Sequence, residues 1–265
     1  MNIGIIGAGN MASALGGGLI SSGLIKPQEL TISDKCEKSL ARWQEMGAVT
    51  STDNIDVVKC SDVIILAVKP NVLPMVLDEI KEFSSGKLFI SIAAGITIAK
   101  IEDILGANAK ILRAMPNTPA KVNCGMTVIT PNKNLTKGDL EIAENILSGV
   151  GDVVTLEEKF INIATALHGS SPAYIYMLID AMADCGVRYG IPKNIAMRLA
   201  AKAVEGSAKM VLETNEHPQV LKDAVCSPGG TTIAAVYELE KTGFQANVSQ
   251  AIDACINKAN EMSKN

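Results

Sequence analysis

The chain has 265 residues, of which 48 % are hydrophobic and 20 % charged, and its formal net charge is −4 at pH 7. This length allows one large domain or two modest ones, and the charge balance without a basic block argues against nucleic-acid binding. No apolar run reaches the roughly 20 residues that span a bilayer, and the first residues lack the basic start and processing site of a signal peptide. We therefore expect a soluble cytoplasmic protein without nucleic-acid or membrane partners.

Cysteine and histidine spacing argues against metal binding and disulfide bonds. The six cysteines are scattered without a CxxC pair, and neither His168 nor His217 belongs to a cluster with metal-ligand spacing. In a chain of this length, such cysteines are typical of reduced thiols, and all but Cys226 are expected to fill the core. We expect no metal site.

Short apolar runs alternate with helical patterns in the first half of the chain. Several runs are continuously apolar, such as VIILAV, which is typical of strands buried on both faces. This alternation predicts an α/β domain with a doubly wound parallel sheet of the Rossmann type. The predicted strands are 2–6, 30–33, 49–51, 63–67, 88–92 and 111–115, with two further runs at 126–129 and 153–156 extending the sheet.

After about residue 159 the patterns become helical. Apolar residues recur at helical spacing in 173–189, a second helix follows Pro192 to about residue 213, and two more cover about 232–243 and 245–262. We expect a dinucleotide-binding domain over 1–158 and an all-helical C-terminal domain over 159–265. The second of these helices is apolar on more than one face, which predicts a protein partner.

A glycine-rich turn follows the first predicted strand directly. The segment Gly7-Ala8-Gly9-Asn10-Met11-Ala12 has the G-x-G-x-x-A pattern between a strand and a helix, where it binds the pyrophosphate of a dinucleotide. Gly7 permits the tight turn and Gly9 lets the backbone approach the phosphates, which then face the helix N-terminus. The alternative is a purely structural strand–helix turn.

The second strand ends in Ser33-Asp34-Lys35, where Rossmann domains bind the adenosine ribose. Asp34 can hold the ribose diol of NADH, whereas serine and lysine can hold the 2′-phosphate of NADPH, so this segment leaves the cofactor open. Asp34 could equally be a helix N-cap. Asn54 and the segment Ala67-Val68-Lys69-Pro70 follow further strands and have ordinary structural alternatives.

A second glycine-rich segment lies in the helical half. In Ser227-Pro228-Gly229-Gly230-Thr231-Thr232, proline and two glycines interrupt the helical pattern, and Thr231 or Thr232 is predicted to cap the next helix. Backbone N–H groups in such a loop can bind a carboxylate. The alternative is a helix–helix turn with a threonine cap.

Four segments together resemble pyrroline-5-carboxylate reductases, and the resemblance covers essentially the whole chain. They are GAGNMA at 7–12, AVKP at 67–70, RAMPNTPA at 113–120 and DAVCSPGGTTIAAVYELE at 223–240. The resemblance implies reduction of the C=N bond of 1-pyrroline-5-carboxylate to L-proline with hydride from NADPH or NADH. It also implies a homodimer, or a larger homo-oligomer, built through the helical domain.

The resemblance also implies roles for individual residues. Met115 and Pro116 would lie near the nicotinamide together with Asn117. Ser227, Gly229, Gly230, Thr231 and Thr232 would bind the substrate, and Thr232 is the candidate for a catalytic hydrogen bond to the ring nitrogen. With Asp34 added from its place at the end of the second strand, the candidate cofactor-binding residues are Gly7, Ala8, Gly9, Asn10, Met11, Ser33, Asp34, Lys35, Asn54, Ala67, Val68, Lys69, Pro70 and Asn117.

This chain departs from the family pattern at three positions. Ser171 replaces a glycine expected in GSGPAY, His168 replaces a small residue, and Asp34 is unusual for a strictly NADPH-dependent member. Two rival functions remain open from the residues alone. One is a β-hydroxyacid or 6-phosphogluconate-type dehydrogenase, for which Lys202 and Lys209 are the available lysines. The other is a sensor that binds a dinucleotide without turnover.

Overall fold

The computed structural model describes the backbone of residues 1–264 and the side chains of residues 1–262. A single eight-stranded sheet occupies the first part of the chain, and its strand order is β3-β2-β1-β4-β5-β6-β7-β8. The strands are β1 (Ile3–Ile6), β2 (Leu30–Ser33), β3 (Val49–Ser51), β4 (Val63–Leu66), β5 (Leu88–Ser91), β6 (Lys110–Met115), β7 (Gly125–Pro131) and β8 (Gly151–Thr155). The eight predicted strands are confirmed with small shifts at their ends.

The sheet is parallel throughout except where β7 runs antiparallel to β6. The link between these two strands is short, covering only residues 116–124. A parallel neighbour requires a crossover of roughly a dozen residues or more, so a link of this length returns the chain in the opposite direction. The prediction of a doubly wound sheet is confirmed, and this one reversal is an addition to it.

Helices cover both faces of the sheet. α1 (Asn10–Ser21), α2 (Glu37–Glu45) and α6 (Lys137–Ser148) contribute to one apolar core, and α3 (Asn54–Cys60), α4 (Leu73–Ile80) and α5 (Ile98–Leu105) contribute to the other. Strands β1, β4 and β5 contribute side chains to both cores, because successive residues of a strand point to opposite faces. This burial on both sides explains their continuously apolar sequences.

Helix α1 fits closely into its core because glycines lie at its contacts. A Cβ atom on Gly16 would lie 2.8 Å from the ring of Trp43, and one on Gly18 would collide with Val150. Gly17, between them, has no neighbouring atom within 4 Å of a Cβ position. Each glycine in a helix interior costs about 1 kcal/mol relative to alanine, so close packing here takes precedence over helix propensity.

The remaining chain is helical, as predicted. It comprises α7 (Ile161–Ala164), a π-helical turn at Thr165–Gly169, α8 (Ser171–Arg188), α9 (Lys193–Thr214), α10 (Pro218–Ala224), α11 (Thr231–Lys241) and α12 (Phe244–Lys264). One compact unit contains residues 1–169 and the end of the chain from Ile256, and the other contains residues 170–255. The domain division after residue 158 stays a prediction. None of the described helices is long and apolar enough to cross a membrane.

His217 lies in the short non-helical link at residues 215–217, where it is the N-cap of α10 and its ring accepts a hydrogen bond from the Gln219 N–H group. Two local interpretations of the sequence change in the structure. The N-cap of α11 is Gly230, without a side-chain cap, so neither Thr231 nor Thr232 has the predicted capping role. Asp34 is likewise not a helix N-cap, since Cys36 precedes α2 directly.

Candidate functional site

The first glycine of the N-terminal turn is required by its geometry. Gly7 has φ +100°, which side chains other than glycine rarely adopt, and a Cβ atom there would lie 2.8 Å from the Ala67 carbonyl oxygen. Its N–H group donates to the Ser33 carbonyl oxygen at 2.8 Å. The turn is therefore held beside the ends of β2 and β4, where the sequence places the cofactor.

Gly9 faces open space, in contrast to Gly7. No protein atom lies within 4 Å of a Cβ position on Gly9, which is the N-cap of α1 and lacks a side-chain cap. The first N–H groups of a helix have no partner inside the helix and favour anions. A side chain at residue 9 would fill the space in front of them. This open cradle fits the pyrophosphate of a dinucleotide.

The predicted ribose-binding residues form a connected polar group at the ends of β2 and β3. Ser33 donates its hydroxyl to Asn54 Oδ1 at 2.7 Å, and Asn54 Nδ2 donates to Glu79 Oε2 at 2.8 Å. The other Glu79 oxygen lies 3.6 Å from the Lys35 ammonium. Sequence reasoning missed Glu79, because it lies on α4 and no short-range spacing connects it to Asn54.

Asp34 is oriented toward the glycine turn. Its Oδ2 accepts the Ala8 N–H group at 2.8 Å, and its Oδ1 accepts the Cys36 N–H group at 2.8 Å. The carboxylate is therefore fixed beside Gly7 and Ala8. Cys36 is exposed, and hydrogen bonds from the Ser39 side chain and backbone lower the pKa of its thiol.

The AVKP segment continues from the end of β4 into α4. Ala67 donates its N–H group to the Ile6 carbonyl oxygen at 2.9 Å, which holds it beside the glycine turn. Val68 packs against the core under α4, whereas Lys69 is exposed. The Lys69 carbonyl oxygen accepts the Val72 N–H group at 2.9 Å, which turns the chain toward α4. Ala67 is thus next to Gly7, while direct cofactor contacts of Val68, Lys69 and Pro70 stay predictions.

Asn117 ties together the turn that follows β6. Its side chain is buried, its Oδ1 accepts the Met126 N–H group at 2.9 Å, and its Nδ2 donates to the His168 carbonyl oxygen at 3.0 Å. These bonds connect the start of β7 with the π-helical turn. Asn117 therefore supports the backbone at this position, and a contact with the cofactor stays a prediction.

His168 supports the same turn from the other side. Its Nε2 lies 2.8 Å from the carbonyl oxygen of Met115, and its Nδ1 lies 2.5 Å from the carbonyl oxygen of Ala164. A small side chain, as the family pattern has here, could not reach Met115. The sequence marked His168 as a departure but did not reveal these contacts.

The second glycine-rich loop lies in the unit formed by residues 170–255. Gly229 has φ +67°, the Gly230 N–H group donates to the Ser227 carbonyl oxygen at 3.0 Å, and a Cβ on Gly230 would collide with the Ser227 hydroxyl. Ser227 and Gly229 are exposed, and Thr232 is half-buried in the first turn of α11. The uncapped N-terminus of α11 makes the loop suitable for an anionic group.

No cluster of three or more histidine, cysteine, aspartate or glutamate side chains in the described part of the chain could hold a metal ion. The polar groups described above are instead backbone N–H groups, hydroxyls and amides, together with the Asp34 and Glu79 carboxylates, the Lys35 ammonium and the His168 imidazole. These are the groups that fix a dinucleotide and a small anionic substrate in place.

Comparison with known proteins agrees with this geometry. Residues 158–262 match the family model described as pyrroline-5-carboxylate reductase dimerisation, and residues 2–95 match that of NADP oxidoreductase, coenzyme F420-dependent. The pyrroline-5-carboxylate reductase of Escherichia coli is 45 % identical over 264 residues, which is 99 % of this chain and 98 % of the relative.

Two solved structures extend this similarity to the fold. A pyrroline-5-carboxylate reductase from Coxiella burnetii has a TM-score of 0.92 at 37 % identity, covering 100 % of this chain and 99 % of the other. The Plasmodium falciparum pyrroline carboxylate reductase, with NADP bound, has a TM-score of 0.90 at 34 % identity, covering 99 % and 98 %.

The sheet, the glycine turn and the open cradle at Gly9 define a Rossmann-type oxidoreductase that uses a nicotinamide dinucleotide. With identity of this extent over nearly the full chain, the protein belongs to the pyrroline-5-carboxylate reductase family. Its helical half includes the dimerisation region of that family, so the protein is a homo-oligomer.

Proposed function

We propose that this protein reduces the C=N bond of 1-pyrroline-5-carboxylate to L-proline with hydride from NADH or NADPH, as the last step of proline biosynthesis. The observation that carries the proposal is 45 % identity with the Escherichia coli enzyme over 99 % of the chain, which includes both glycine-rich segments. The reaction needs little machinery, because the cofactor supplies the hydride and the protein supplies placement.

Each unit of the chain has a distinct task in this reaction. The turn from Gly7 to Met11 and the first turn of α1 bind the pyrophosphate, and Ser33, Asp34, Lys35 and Asn54 surround the adenosine ribose. The segment 67–70 and Asn117 lie toward the nicotinamide. Residues 227–232 bind the substrate carboxylate through backbone N–H groups, which leaves the imine carbon to be positioned for hydride transfer.

The imine nitrogen must carry or receive a proton as hydride reaches the carbon. Thr232 is the proposed hydrogen-bonding partner of that nitrogen. Its hydroxyl is a poor acid, so it orients the ring or relays a proton from water rather than supplying the proton itself.

One assay separates this function from its rivals. Absorbance follows the oxidation of NADH or NADPH with 1-pyrroline-5-carboxylate or with no substrate, and the reduction of NAD+ or NADP+ with a β-hydroxyacid. We expect turnover only with 1-pyrroline-5-carboxylate and formation of one proline per NAD(P)H oxidised. Turnover of the hydroxyacid would favour a dehydrogenase, and cofactor binding without any turnover would favour a sensor.

We also propose a cytoplasmic location. All six cysteines are free thiols, and none is buried, so the prediction that they fill the core is wrong. A reducing compartment keeps thiols in that state, and it also supplies the reduced cofactor. Fractionation of the native host, followed by detection of the protein with an antibody, tests this proposal.

A further inference from the structure

The end of β2 lies beside the glycine turn, at the position where a Rossmann domain holds the adenosine ribose. Ile6 of β1 pairs with Ser33 of β2, and the Gly7 N–H group donates to the Ser33 carbonyl oxygen. Asp34 is the next residue, and its carboxylate accepts the Ala8 N–H group. The residue that contacts the 2′ position of the ribose is therefore expected at this end of β2.

The Asp34 carboxylate is held in one orientation and still has free acceptor capacity. Each of its oxygens accepts one backbone N–H group, from Ala8 or from Cys36. A carboxylate has about four lone-pair sites, so two remain available for ribose hydroxyls. A 2′-hydroxyl can donate to them, whereas a 2′-phosphate would place negative charge next to negative charge.

The groups that could hold a 2′-phosphate already have partners. The Ser33 hydroxyl donates to Asn54, Asn54 donates to Glu79, and Glu79 lies 3.6 Å from the Lys35 ammonium. Asn54 is 5 % exposed, so its end of the bond to Glu79 is buried. A phosphate would have to displace Glu79 from both Asn54 and Lys35.

The charges at this strand end are mainly negative. Asp34 and Glu79 are both acidic, and the one ammonium group beside Glu79 is Lys35, which also donates to the Thr52 carbonyl oxygen. Asp53 and Asp56 lie close by, Asp53 as the N-cap of α3 and Asp56 as the acceptor of the Ser51 hydroxyl. Among the neighbouring residues of α2, Glu37 and Lys38 offset each other in charge. A 2′-phosphate adds nearly two further negative charges at neutral pH.

From this arrangement we infer that the protein selects NADH over NADPH, with Asp34 as the specificity-determining residue and Glu79 as the residue that neutralises the competing lysine. The inference deepens the proposed function and rests on it for the identity of the reaction. Selection arises both from hydrogen bonds to the ribose diol and from repulsion of the phosphate.

The test compares NADH with NADPH in the wild-type oligomer, by calorimetric titration and by kcat/KM with 1-pyrroline-5-carboxylate. We expect NADH to be favoured by about tenfold or more, the effect of one unfavourable charge contact. Asp34→Asn keeps the shape, removes the charge and leaves either the Ala8 or the Cys36 N–H group without its acceptor, and Asp34→Ser removes the carboxylate altogether. Both should raise the relative affinity for NADPH by about tenfold, and Glu79→Gln should raise it further in combination.

Asp62→Asn is the matched control. Asp62 also accepts a backbone N–H group, from Asn2, but both residues precede the strands β1 and β4, at the end opposite the glycine turn, so the cofactor ratio should not move. Wild-type protein that binds NADPH as tightly as NADH would overturn the inference, and so would an unchanged ratio in Asp34→Asn. If Asp34→Ser fails to fold, the NADH-to-NADPH ratios of the wild type and of Asp34→Asn still test the inference.

The two measurements separate this inference from the proposed function. If the protein binds NADH selectively but does not turn over 1-pyrroline-5-carboxylate, the inferred cofactor selectivity is supported and the proposed function is wrong. If it turns over 1-pyrroline-5-carboxylate but prefers NADPH, the proposed function is supported and the inferred selectivity is wrong.

Discussion

His168 Nε2 lies 2.8 Å from the carbonyl oxygen of Met115, so an imidazole from the π-helical turn supports the last peptide of β6. Its other ring nitrogen faces the carbonyl oxygen of Ala164. A neutral imidazole can donate to only one of these oxygens at a time, whereas an imidazolium donates to both. Met115 leads directly into Pro116 and Asn117, which we expect near the nicotinamide.

We predict that His168→Ala lowers kcat/KM for imine reduction while leaving the affinity for NADH nearly unchanged. One lost hydrogen bond costs about 0.5–1.5 kcal/mol, which corresponds to roughly a twofold to tenfold loss of rate. His168→Gln should recover part of the loss, because its amide can reach one carbonyl oxygen. The control is His217→Ala, which removes a helix cap of α10 and should change the melting temperature but not kcat/KM. Wild-type kinetics in His168→Ala would contradict this role.

The two glycines of the N-terminal turn should respond differently to substitution. Gly9→Val should abolish NAD(P)H binding in a folded protein, because its Cβ has no protein atom within 4 Å and the side chain fills the cofactor cradle. Gly7→Ala should instead destabilise the fold, because it combines φ +100° with a close contact to the Ala67 carbonyl oxygen. Calorimetric titration and thermal unfolding of both variants check this. Normal cofactor affinity in Gly9→Val would show that the dinucleotide binds elsewhere.

Thr232→Ala should lower kcat more than it raises KM for 1-pyrroline-5-carboxylate. The backbone N–H groups of the loop remain, and the lost hydroxyl matters most as charge shifts at the nitrogen. A simple hydrogen bond predicts a loss of roughly a few-fold to tenfold, and a proton relay predicts roughly 10²-fold or more. Thr242→Ala at the other end of α11 is the control, since its hydroxyl bonds to the helix backbone carbonyls of Glu238 and Leu239. Unchanged kcat in Thr232→Ala would remove Thr232 from the mechanism.

The helical half should determine the oligomeric state. On α9, Ala196 and Ala200 are buried within the subunit, whereas Leu199 is 58 % and Met210 50 % exposed. We expect light scattering at micromolar concentration to show a dimer or larger assembly, and Leu199→Glu to shift it toward monomer by placing an unpaired charge in an apolar contact. Lys38→Glu, on α2 of the other unit, is the control. A wild-type monomer would contradict the assignment of this region as a dimerisation surface.

Local patterns predicted the strands and long helices because burial on both faces of a sheet leaves a continuous apolar signal. These local patterns did not predict short helices or contacts between residues that are far apart in the sequence. Helix α10 has only seven residues, too few for a helical period to be visible. The bond between Asn54 and Glu79 joins residues 25 positions apart, and the contact of His168 with Met115 spans 53 positions. Such contacts depend on how helices and strands pack together, so they can be identified only from the three-dimensional structure.

The run of glycines in α1 has a consequence for engineering. Replacing helical glycines by alanine is a standard route to thermostability, because alanine has the higher helix propensity. In this helix alanine does not fit at Gly16, where its methyl group would lie too close to Trp43, or at Gly18, where it would collide with Val150. Gly17 alone has room for one. A directed-evolution library for this protein should therefore keep 16 and 18 fixed and vary 17.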